Sequence, residues 1–434
     1  MKLVVIGAGS TYTPEVFDEL IKHHSSLPID DVALVDVDEG MERAGIIKDF
    51  GERMFKNAGI KIKLSPTTDR KKALEGADFV ISQIRVGFSK ARIIDEVTSM
   101  SLGLLGQETT GSGGFMNALR TIPVSLEIAA DMERICPNAW LVNFTNPAGL
   151  VTEALTRFSN VKCVGLCNVP INMQADAAKV LNVERDKLHC SFVGLNHLSF
   201  MTGADLNGES RFPEVLDQIS NNETLMKNIP KVPGVGDLIR TLGIIPSPYL
   251  QYYYFASVMQ EKQRKTYETE GVTRGMQVEE INKQLYNLYA DESLVTPPPE
   301  LSQRGGSLYS YAALQIIEAL TKETPTELVL NTTNNGALNG IPDDSVVEIN
   351  AMVSRNGIQP VKGLYIPDTV IGLVKTVKQY ERLTAEAAVT HNPILATEAL
   401  MNHPLVMEYT KSKAVTSVAE EKFPNYISWN RENG

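Results

Sequence analysis

The sequence predicts an α/β protein in which a doubly wound parallel sheet occupies the N-terminal part and a mixed α+β domain follows it. Short apolar runs alternate with helical patterns over the first third of the chain, which is the rhythm of βαβ units. Strands mixed with long helices replace that rhythm in the second half. The chain has 434 residues, so one small module is excluded.

The first half contains six predicted strands. Central strands of a parallel sheet are buried on both faces, so they are continuous apolar runs and do not alternate with polar residues. The predicted strands are KLVVIG, VALVD, IKIKLS, DFVISQIRVG, WLVNFTNP near residue 140 and VKCVGLCN near residue 165, and of these IKIKLS alone alternates apolar with polar residues. Helical patterns separate them at TPEVFDELIKHH, 40–57, 69–75 and 117–135.

The later residues predict a second lobe. Strand patterns are HCSFVGLNHLSFMTGADLNG, ELVLNTTN and VVEINAMVS, and helical patterns cover 276–290, 369–389 and 394–401. We place the domain boundary near residue 190, which gives an N-terminal domain at 1–190 and a C-terminal domain at 191–434. Linker-like segments such as TPPPE at 296–300 are short, so we expect the two lobes to share an interface.

Composition excludes several classes of protein. With 41 basic and 52 acidic residues the net charge is −11, and no Lys/Arg block stands out, which argues against nucleic-acid or anionic-membrane binding. The first apolar run is too short for a targeting segment, and no stretch approaches the roughly 18 apolar residues of a membrane span. Four cysteines are too few for the disulfide framework of a secreted domain, so we expect a cytoplasmic protein.

A glycine loop, Gly7-Ala8-Gly9, lies between the first strand and the first helix, where backbone N–H groups can hold a pyrophosphate. Tyr12 stands where the third glycine of the dinucleotide fingerprint would be, so a tight turn without a ligand is the alternative. Asp36 ends the second strand, where a carboxylate would bind the adenine ribose and repel a 2′-phosphate. We therefore predict NAD, with Asp38 as the competing carboxylate and helix capping as the other role for either.

Cys167 ends a strand, and His197 lies in GLNHLSF, a run with strand character. Each could be a buried structural residue. If they meet, one thiolate, one imidazole and substrate oxygens would suit a catalytic divalent ion such as Mn²⁺, although two protein ligands do not identify the metal.

Arginines and tyrosines complete the set of candidates. Arg85 and Arg92 follow the fourth strand and could bind a phosphate or carboxylate, or could form surface salt bridges. The cluster Tyr249, Tyr252, Tyr253 and Tyr254 is typical of aromatic core. From the residues alone we predict an NAD-binding enzyme with a small substrate. The substrate would be anionic if the arginines bind it.

An ordered set of segments then resembles glycoside hydrolase family 4, the NAD- and divalent-metal-dependent glycosidases. The segments extend over nearly the whole chain: IGAGSTYTPE, IRVG, GQETTGSGGF, NFTNP, GLCNVPIN, GLNHLSF, PYLQYYY, RGGSLYS and NNG. The resemblance implies a Rossmann-like N-terminal domain similar to that of lactate and malate dehydrogenases. It also implies a homodimer or homotetramer, for which the apolar C-terminal helices could supply the interface. On this resemblance 1–190 is the NAD-binding domain, and 191–434 is the substrate and dimerisation domain.

The resemblance assigns roles to particular residues. Metal ligands would be Cys167 and His197, and the catalytic base would be Tyr249, with Tyr252 as second choice. Substrate-binding positions are Arg92, Asn146, Asn168 and Arg274, the last aligned across a loop of different length. The cofactor-binding residues would be Gly7, Gly9, Ser10, Thr11 and Asp36.

The implied reaction is a redox elimination outside the usual two-carboxylate scheme. NAD⁺ takes hydride from C3 of the sugar, a base removes the C2 proton, the aglycone leaves, water adds, and the hydride returns. Asn168 follows the metal cysteine where phospho-α-glucosidase members carry Asp, so the resemblance implies a 6-phospho-β-glucosidase acting on phosphorylated disaccharides such as cellobiose 6′-phosphate. Because an amide cannot supply a proton, another group must protonate the leaving oxygen.

Three alternatives remain open at this point. Another member of the family would hydrolyse a phospho-α-glucoside, an α-galactoside or an α-glucuronide. A 2-hydroxy-acid dehydrogenase would consume NAD stoichiometrically. A non-catalytic NAD-sensing protein would leave the Cys, His and Tyr set without a chemical role.

Overall fold

The computed structural model describes residues 1–222, 232–304 and 308–430. Its largest sheet begins with the six predicted N-terminal strands, all parallel, in the order β3-β2-β1-β4-β5-β6. This is the doubly wound order, in which the chain reverses direction across the sheet at β1. The strands are β1 (Lys2–Ile6), β2 (Asp31–Val35), β3 (Lys63–Thr67), β4 (Phe79–Ser82), β5 (Trp140–Asn143) and β6 (Lys162–Gly165).

Helices connect these strands and cover both faces of the sheet. They are α1 (Thr13–His23), α2 (Met41–Asn57), α3 (Arg70–Leu74), α4 (Phe88–Ser101), α5 (Gly111–Ile135), α6 (Ala148–Phe158) and α7 (Val169–Val180). Two polar segments after β4 contribute to helices: FSKARIIDE begins α4, and the glycines of GQETTGSGGF begin α5. Alternation along β1 places Leu3 and Val5 in one core and Val4 and Ile6 in the other.

Strands from the second half of the chain extend the same sheet. The strands β11 (Thr326–Thr333), β12 (Val346–Ser354) and β13 (Gly357–Pro360) add antiparallel beyond β6, so that nine strands of the described residues form this sheet. The fold class, a doubly wound sheet followed by a mixed α+β part, is confirmed. The boundary near residue 190 stays a prediction, and hydrogen-bonded strands cross it.

A second, antiparallel sheet contains β7 (Leu188–Leu195), β8 (Leu198–Leu206), β9 (Glu209–Ser210) and β10 (Ile245–Pro246). The other helices are α8 (Phe212–Asn222), α9 (Val235–Leu242), α10 (Gln251–Tyr254), α11 (Ala256–Glu270), α12 (Arg274–Ala290), α13 (Leu301–Arg304), α14 (Tyr309–Thr321), α15 (Asp368–Thr390), α16 (Pro393–Asn402) and α17 (Tyr409–Lys422). Leu285 and Tyr289 of α12 join the core that contains Leu3, while Val374 of α15 joins the other. Thus helices from the second half pack on both faces of the sheet.

The described helices include none with the length and apolar character needed to span a membrane. All four cysteines are free thiols.

Candidate active site

A cavity of about 530 Å³ opens at the carboxyl edge of the parallel strands. Loops after β1, β2, β4 and β5 line it, together with residues of α10, α12 and α13 and the turn that precedes α10. Ligands of doubly wound folds collect at this edge because strand ends and helix N-termini converge there. The cavity contains the predicted residues Gly7, Gly9, Ser10, Thr11, Asp36, Arg92, Asn146, Asn168, Tyr249 and Arg274 among its lining.

The glycine loop turns tightly against β2 and β4. Gly7 has φ +82°, and a Cβ there would lie 2.9 Å from the carbonyl oxygen of Gln83, so both the conformation and the space require glycine. At Gly9 a Cβ would lie 2.9 Å from Oδ2 of Asp36. These two positions leave the loop backbone bare where it faces the cavity, which fits a dinucleotide pyrophosphate.

Asp36 holds this loop in addition to lining the cavity. Its Oδ2 accepts a hydrogen bond from Gly9 N at 2.7 Å, and its Oδ1 accepts one from Val37 N at 2.9 Å. Asp38, the competing choice, lies outside the cavity lining in a short 3₁₀ turn. Asp36 therefore has the position required for a ribose contact, and that contact itself remains a prediction.

The hydroxyl groups of Ser10 and Thr11, which complete the loop, have different hydrogen-bond partners. The Ser10 hydroxyl accepts from Tyr12 N at 3.3 Å, whereas Thr11 is buried and its hydroxyl donates to Asn282 Oδ1 at 2.9 Å. The same Asn282 oxygen accepts from Arg304 Nε at 2.7 Å. Thr11 consequently ties the loop to α12 and α13, and its proton is already used within the protein.

Cys167 and His197 both lie near Tyr249, just behind the residues that line the cavity. The His197 ring stacks on the Tyr249 ring with centroids 3.6 Å apart and planes 6° from parallel, while the Cys167 thiol is close enough to contribute to the raised pKa of Tyr249. His197 lies at the turn between β7 and β8 with φ +61°, where the sequence pattern had indicated strand. A left-handed backbone at a β-hairpin turn costs a non-glycine residue some strain, and such strain often marks functional positions.

The donor set fits a divalent cation. Burial lowers the pKa of His197 to about 4, so the ring is neutral at pH 7, as a metal ligand must be. Burial raises the pKa of the Cys167 thiol, and nearby Glu348 adds to the rise, so a bound cation is what would favour the thiolate. Among the described residues no group of three His, Cys, Asp or Glu side chains forms a metal site, so oxygens from water or substrate would have to complete the coordination.

Tyr249 is half-buried at the cavity wall. Burial raises its pKa well above the usual value, Tyr252 and Cys167 add to the rise, and Arg92 lowers it by less. The phenol is therefore protonated when only protein groups surround it. Tyr252 is more deeply buried, and burial outweighs Arg92 to raise its pKa to about 12.

Arginines surround one carboxylate in the cavity. Oε2 of Glu108 lies 2.7 Å from Nη2 of Arg85 and 3.0 Å from Nη1 of Arg92, and Arg92 also donates to Glu96 Oε1 at 2.8 Å. Burial alone would raise the pKa of Glu108, but the two guanidinium groups outweigh it and lower that pKa to about 2. The salt-bridge reading of these arginines is thus correct in part, but the bridges lie in the cavity and not on the outer surface.

The remaining predicted substrate residues differ in burial. Asn168 is buried at the start of α7, and the side-chain oxygen of Asn146 is buried without a hydrogen-bond partner in the part of the chain that the structure describes. An unpaired amide oxygen facing a cavity is suited to a ligand hydroxyl. Arg274 is exposed at the start of α12, and its guanidinium donates to Gln277 Oε1 and to the backbone oxygens of residues 303 and 304.

Several residues that the sequence reasoning did not select also lie here. Glu108 and Thr109 belong to GQETTGSGGF, and Arg304 and Tyr309 to RGGSLYS, of which residues 305–307 fall outside the described residues. Arg304 lies over the Tyr12 ring at 3.9 Å, and the Tyr309 hydroxyl donates to Cys167. The only signal for them was membership in segments that carry the family resemblance.

Two family profiles match consecutive parts of this chain. A sequence profile described as "Family 4 glycosyl hydrolase" matches residues 2–183, and one described as "Family 4 glycosyl hydrolase C-terminal domain" matches residues 192–406. The chain belongs to glycosyl hydrolase family 4. The resemblance stated from the sequence is therefore confirmed.

Two curated relatives of this family 4 chain are similar over nearly all of its length. It is 43% identical to a "Probable 6-phospho-beta-glucosidase" of Bacillus subtilis (strain 168), over 98% of the chain and 97% of the relative. It is 41% identical to a "6-phospho-beta-glucosidase" of Escherichia coli (strain K12), over 94% of the chain and 91% of the relative.

Solved structures are similar in fold. The 6-phospho-β-glucosidase of Thermotoga maritima, solved with manganese, NAD⁺ and glucose 6-phosphate, superposes with a TM-score of 0.90 at 33% identity over 99% of this chain and 100% of that one. Malate dehydrogenase of Plasmodium falciparum, at 13% identity and a TM-score of 0.54 over 90% of this chain and 99% of that one, shares the fold alone. The predicted dehydrogenase-like architecture is confirmed.

Proposed function

We propose that this family 4 protein is a 6-phospho-β-glucosidase that hydrolyses 6-phospho-β-glucosides such as cellobiose 6′-phosphate, with NAD as a recycled cofactor and Mn²⁺ as the metal. The observation that carries the proposal is that one cavity is lined by the glycine loop, by Tyr249 beside Cys167 and His197, and by a group of arginines. A cofactor, a proton-transfer group and an anion-binding group thus face the same space.

The relatives support the substrate class. Two proteins more than 40% identical carry the 6-phospho-β-glucosidase name, and the Thermotoga maritima enzyme binds glucose 6-phosphate together with NAD⁺ and manganese. In this chain Arg85, Arg92 and Arg304 can supply the paired N–H donors that a sugar phosphate needs. The coordinating groups for the metal would be Cys167 and His197.

NAD would supply reversible hydride transfer at C3, and the metal would supply positive charge next to the substrate oxygen. Tyr249 then acts as the base that takes the C2 proton. Its pKa is raised by burial and by its neighbours, so it can do this only with added positive charge nearby. The Cys167–His197 pair beside its ring is where such a charge would be held.

Asn146 and Asn168 orient the sugar in this proposal. The unpartnered oxygen of Asn146 would accept from a sugar hydroxyl, and the buried Asn168 amide would bind without transferring a proton. The leaving oxygen must therefore receive its proton from another group or from water. Arg274, exposed at the start of α12, would contact the substrate from the rim.

The decisive assay is hydrolysis of p-nitrophenyl β-glucoside 6-phosphate with NAD⁺, Mn²⁺ and a reductant, each omitted in turn. We expect turnover only with all three, no net accumulation of NADH, and little turnover of the α-anomer or of the unphosphorylated glucoside. Net NADH formation with turnover would favour a dehydrogenase. Preference for the α-anomer would instead identify the protein as a phospho-α-glucosidase. Activity that survives chelation and complete removal of cofactor would refute the reaction.

We also infer a cytoplasmic setting and a homodimer or homotetramer. Four free thiols are typical of a reducing compartment. The exposed apolar side chains Ile394, Met401, Met407 and Tyr409, in and around α16 and α17, support an interface between copies. Measurement of mass in solution by light scattering tests the second inference.

A further inference from the structure

A chain of hydrogen bonds runs from the loop before α5 to the ring of His197. Oε1 of Gln107 accepts three hydrogen bonds: from Thr109 N at 2.6 Å, from Thr110 N at 2.8 Å and from the Thr109 hydroxyl at 2.8 Å. The Thr109 hydroxyl oxygen lies 2.9 Å from Nδ1 of His197. Gln107, Thr109 and His197 are all buried, which limits competition from water for these positions.

The direction of each hydrogen bond follows from the backbone. A backbone N–H can only donate, so the Gln107 atom that faces two of them must be the amide oxygen and not the nitrogen. An amide oxygen can only accept, so the single proton of the Thr109 hydroxyl is directed to Gln107. The Thr109 oxygen is then left as an acceptor for His197, and Nδ1 of His197 must carry a proton.

The opposite arrangement is disfavoured. If the Thr109 hydroxyl donated to Nδ1, its oxygen and the Gln107 oxygen would face each other at 2.8 Å with no proton between them. In a buried site such a pair of acceptors is destabilising. The neutral ring of His197 is therefore held with the proton on Nδ1 and a free lone pair on Nε2.

The loop is built so that this chain cannot easily shift. A Cβ at Gly113 would lie 2.3 Å from the carbonyl oxygen of Gln107, and one at Gly114 would lie 2.4 Å from the carbonyl carbon of Thr109. On the other side His403 Nε2 accepts from Gly111 N at 3.0 Å. The first turn of α5 thus packs directly against the loop, which accounts for the glycines of the segment GQETTGSGGF.

We propose that Gln107 and Thr109 are positioning residues that select the Nδ1–H tautomer of His197 and so present its Nε2 as the metal ligand. Metal-bound histidines generally donate their other ring N–H to a fixed acceptor, and loss of that acceptor typically weakens metal binding 10- to 100-fold. Here the fixed acceptor is a threonine hydroxyl whose own proton is committed elsewhere. The inference rests on the proposed metal role of His197.

The first test is the tautomer itself in metal-free, full-length protein labelled with ¹⁵N-histidine. Imidazole ¹⁵N–¹H correlations distinguish protonated from unprotonated ring nitrogens, and comparison with His197→Asn identifies the ring. We expect Nδ1 to be protonated and Nε2 to be unprotonated in the wild type and in Thr109→Ser. A wild-type ring protonated on Nε2 would overturn the proposal, whatever the protein's activity.

The second test is Mn²⁺ binding, followed by loss of the free-ion EPR signal. Thr109→Val, which keeps the shape and removes the acceptor, should weaken binding about 10- to 100-fold, and Thr109→Ser should restore it. Thr110→Val is the matched control, because the Thr110 hydroxyl contacts Tyr253 and His403 and not His197. Equal affinity of Thr109→Val and the wild type would overturn the positioning role.

Mn²⁺ binding by the His197 and Thr109 variants distinguishes a wrong metal role of His197 from a wrong positioning role of Thr109. If His197→Asn binds Mn²⁺ as tightly as the wild type, the metal role of His197 is wrong, and the positioning role with it. If His197→Asn loses Mn²⁺ binding while Thr109→Val keeps it, the metal site stands and only the positioning role is wrong. Neither outcome depends on turnover of a sugar phosphate.

Discussion

Replacing Glu108 by glutamine should destabilise the protein at neutral pH by an amount that the cavity electrostatics define. Glutamine has the shape of the protonated acid, so the substitution removes the charge that Arg85 and Arg92 stabilise and little else. The pKa of Glu108 drops from 4.5 to about 2 in the folded protein, because the two arginines outweigh the effect of burial. That difference corresponds to about 3 kcal/mol of unfolding free energy at pH 7.

The sign of the pH dependence follows from the same values. A carboxyl group with a lowered pKa in the folded state contributes its full stability above the unfolded pKa, here 4.5, and loses it as the pH falls toward 2. The difference between wild type and Glu108→Gln should therefore be constant from pH 6 to 8. It should shrink to about 1 kcal/mol near pH 3.

Denaturant titration at pH 7 and at pH 3 measures the two differences. Glu268→Gln is the control, because Glu268 pairs with Arg264 on the exposed face of α11 and should change stability by less than about 0.5 kcal/mol. A Glu108 variant as stable as the wild type at pH 7 would refute the reasoning. So would a loss that does not diminish with acid, since that would come from packing and not from charge.

Three further predictions concern function. Tyr249→Phe should lower turnover at least about 100-fold and abolish exchange of the C2 hydrogen with solvent, because the phenol oxygen is the proposed base. The affinity for NAD⁺, measured by titration, should be unchanged. If the variant still exchanges the C2 hydrogen, Tyr249 is not the base. Arg304→Lys should raise KM for the phosphorylated substrate about tenfold, because the paired N–H donors are lost; an equal change for an unphosphorylated glucoside would contradict a phosphate contact. Asp36→Ser should reduce the preference for NAD⁺ over NADP⁺ by about fivefold or more, because the repulsion between one carboxylate and the 2′-phosphate amounts to about 1 kcal/mol even in water-like surroundings. If the ratio of the two dissociation constants is unchanged, Asp36 does not contact the ribose.

Local patterns were sufficient for the part of the fold that positions the cofactor loop. Most of the six parallel strands are largely apolar, and burial on both faces leaves few other structures for such a run. The exception is β3, which contains Lys63, Ser65 and Pro66 and lies at the edge of the sheet. Gly7 and Asp36 were predictable as neighbours because consecutive strands of this fold end at the same edge of the sheet. The bond from Gly9 N to Asp36 Oδ2 was not predictable, since it depends on a carboxylate rotamer.

The rest depends on contacts between distant parts of the chain. The apolar pattern of β11 identifies a strand but does not indicate that it pairs with β6, where Asn331 lies opposite Gly165, 166 residues earlier. Arg304 and Tyr309 lie nearly 300 residues from the glycine loop and follow no local pattern that separates them from other arginines and tyrosines. The apolar runs that flank His197 predict a strand residue, yet those runs are the two arms of a hairpin and His197 is at its turn.

The net charge of the whole chain and the local charge of the cavity have opposite signs. The protein carries a net charge of −11, which taken alone disfavours an anionic ligand. Among the described residues, however, six arginines and three carboxylates line the cavity, so the space that a sugar phosphate would enter is locally positive. At physiological salt, charges farther away than about 8 Å are largely screened. A bound phosphate would therefore interact with the cavity arginines and hardly with the acidic surface, so the net charge predicts how the protein repels other macromolecules and not what it binds.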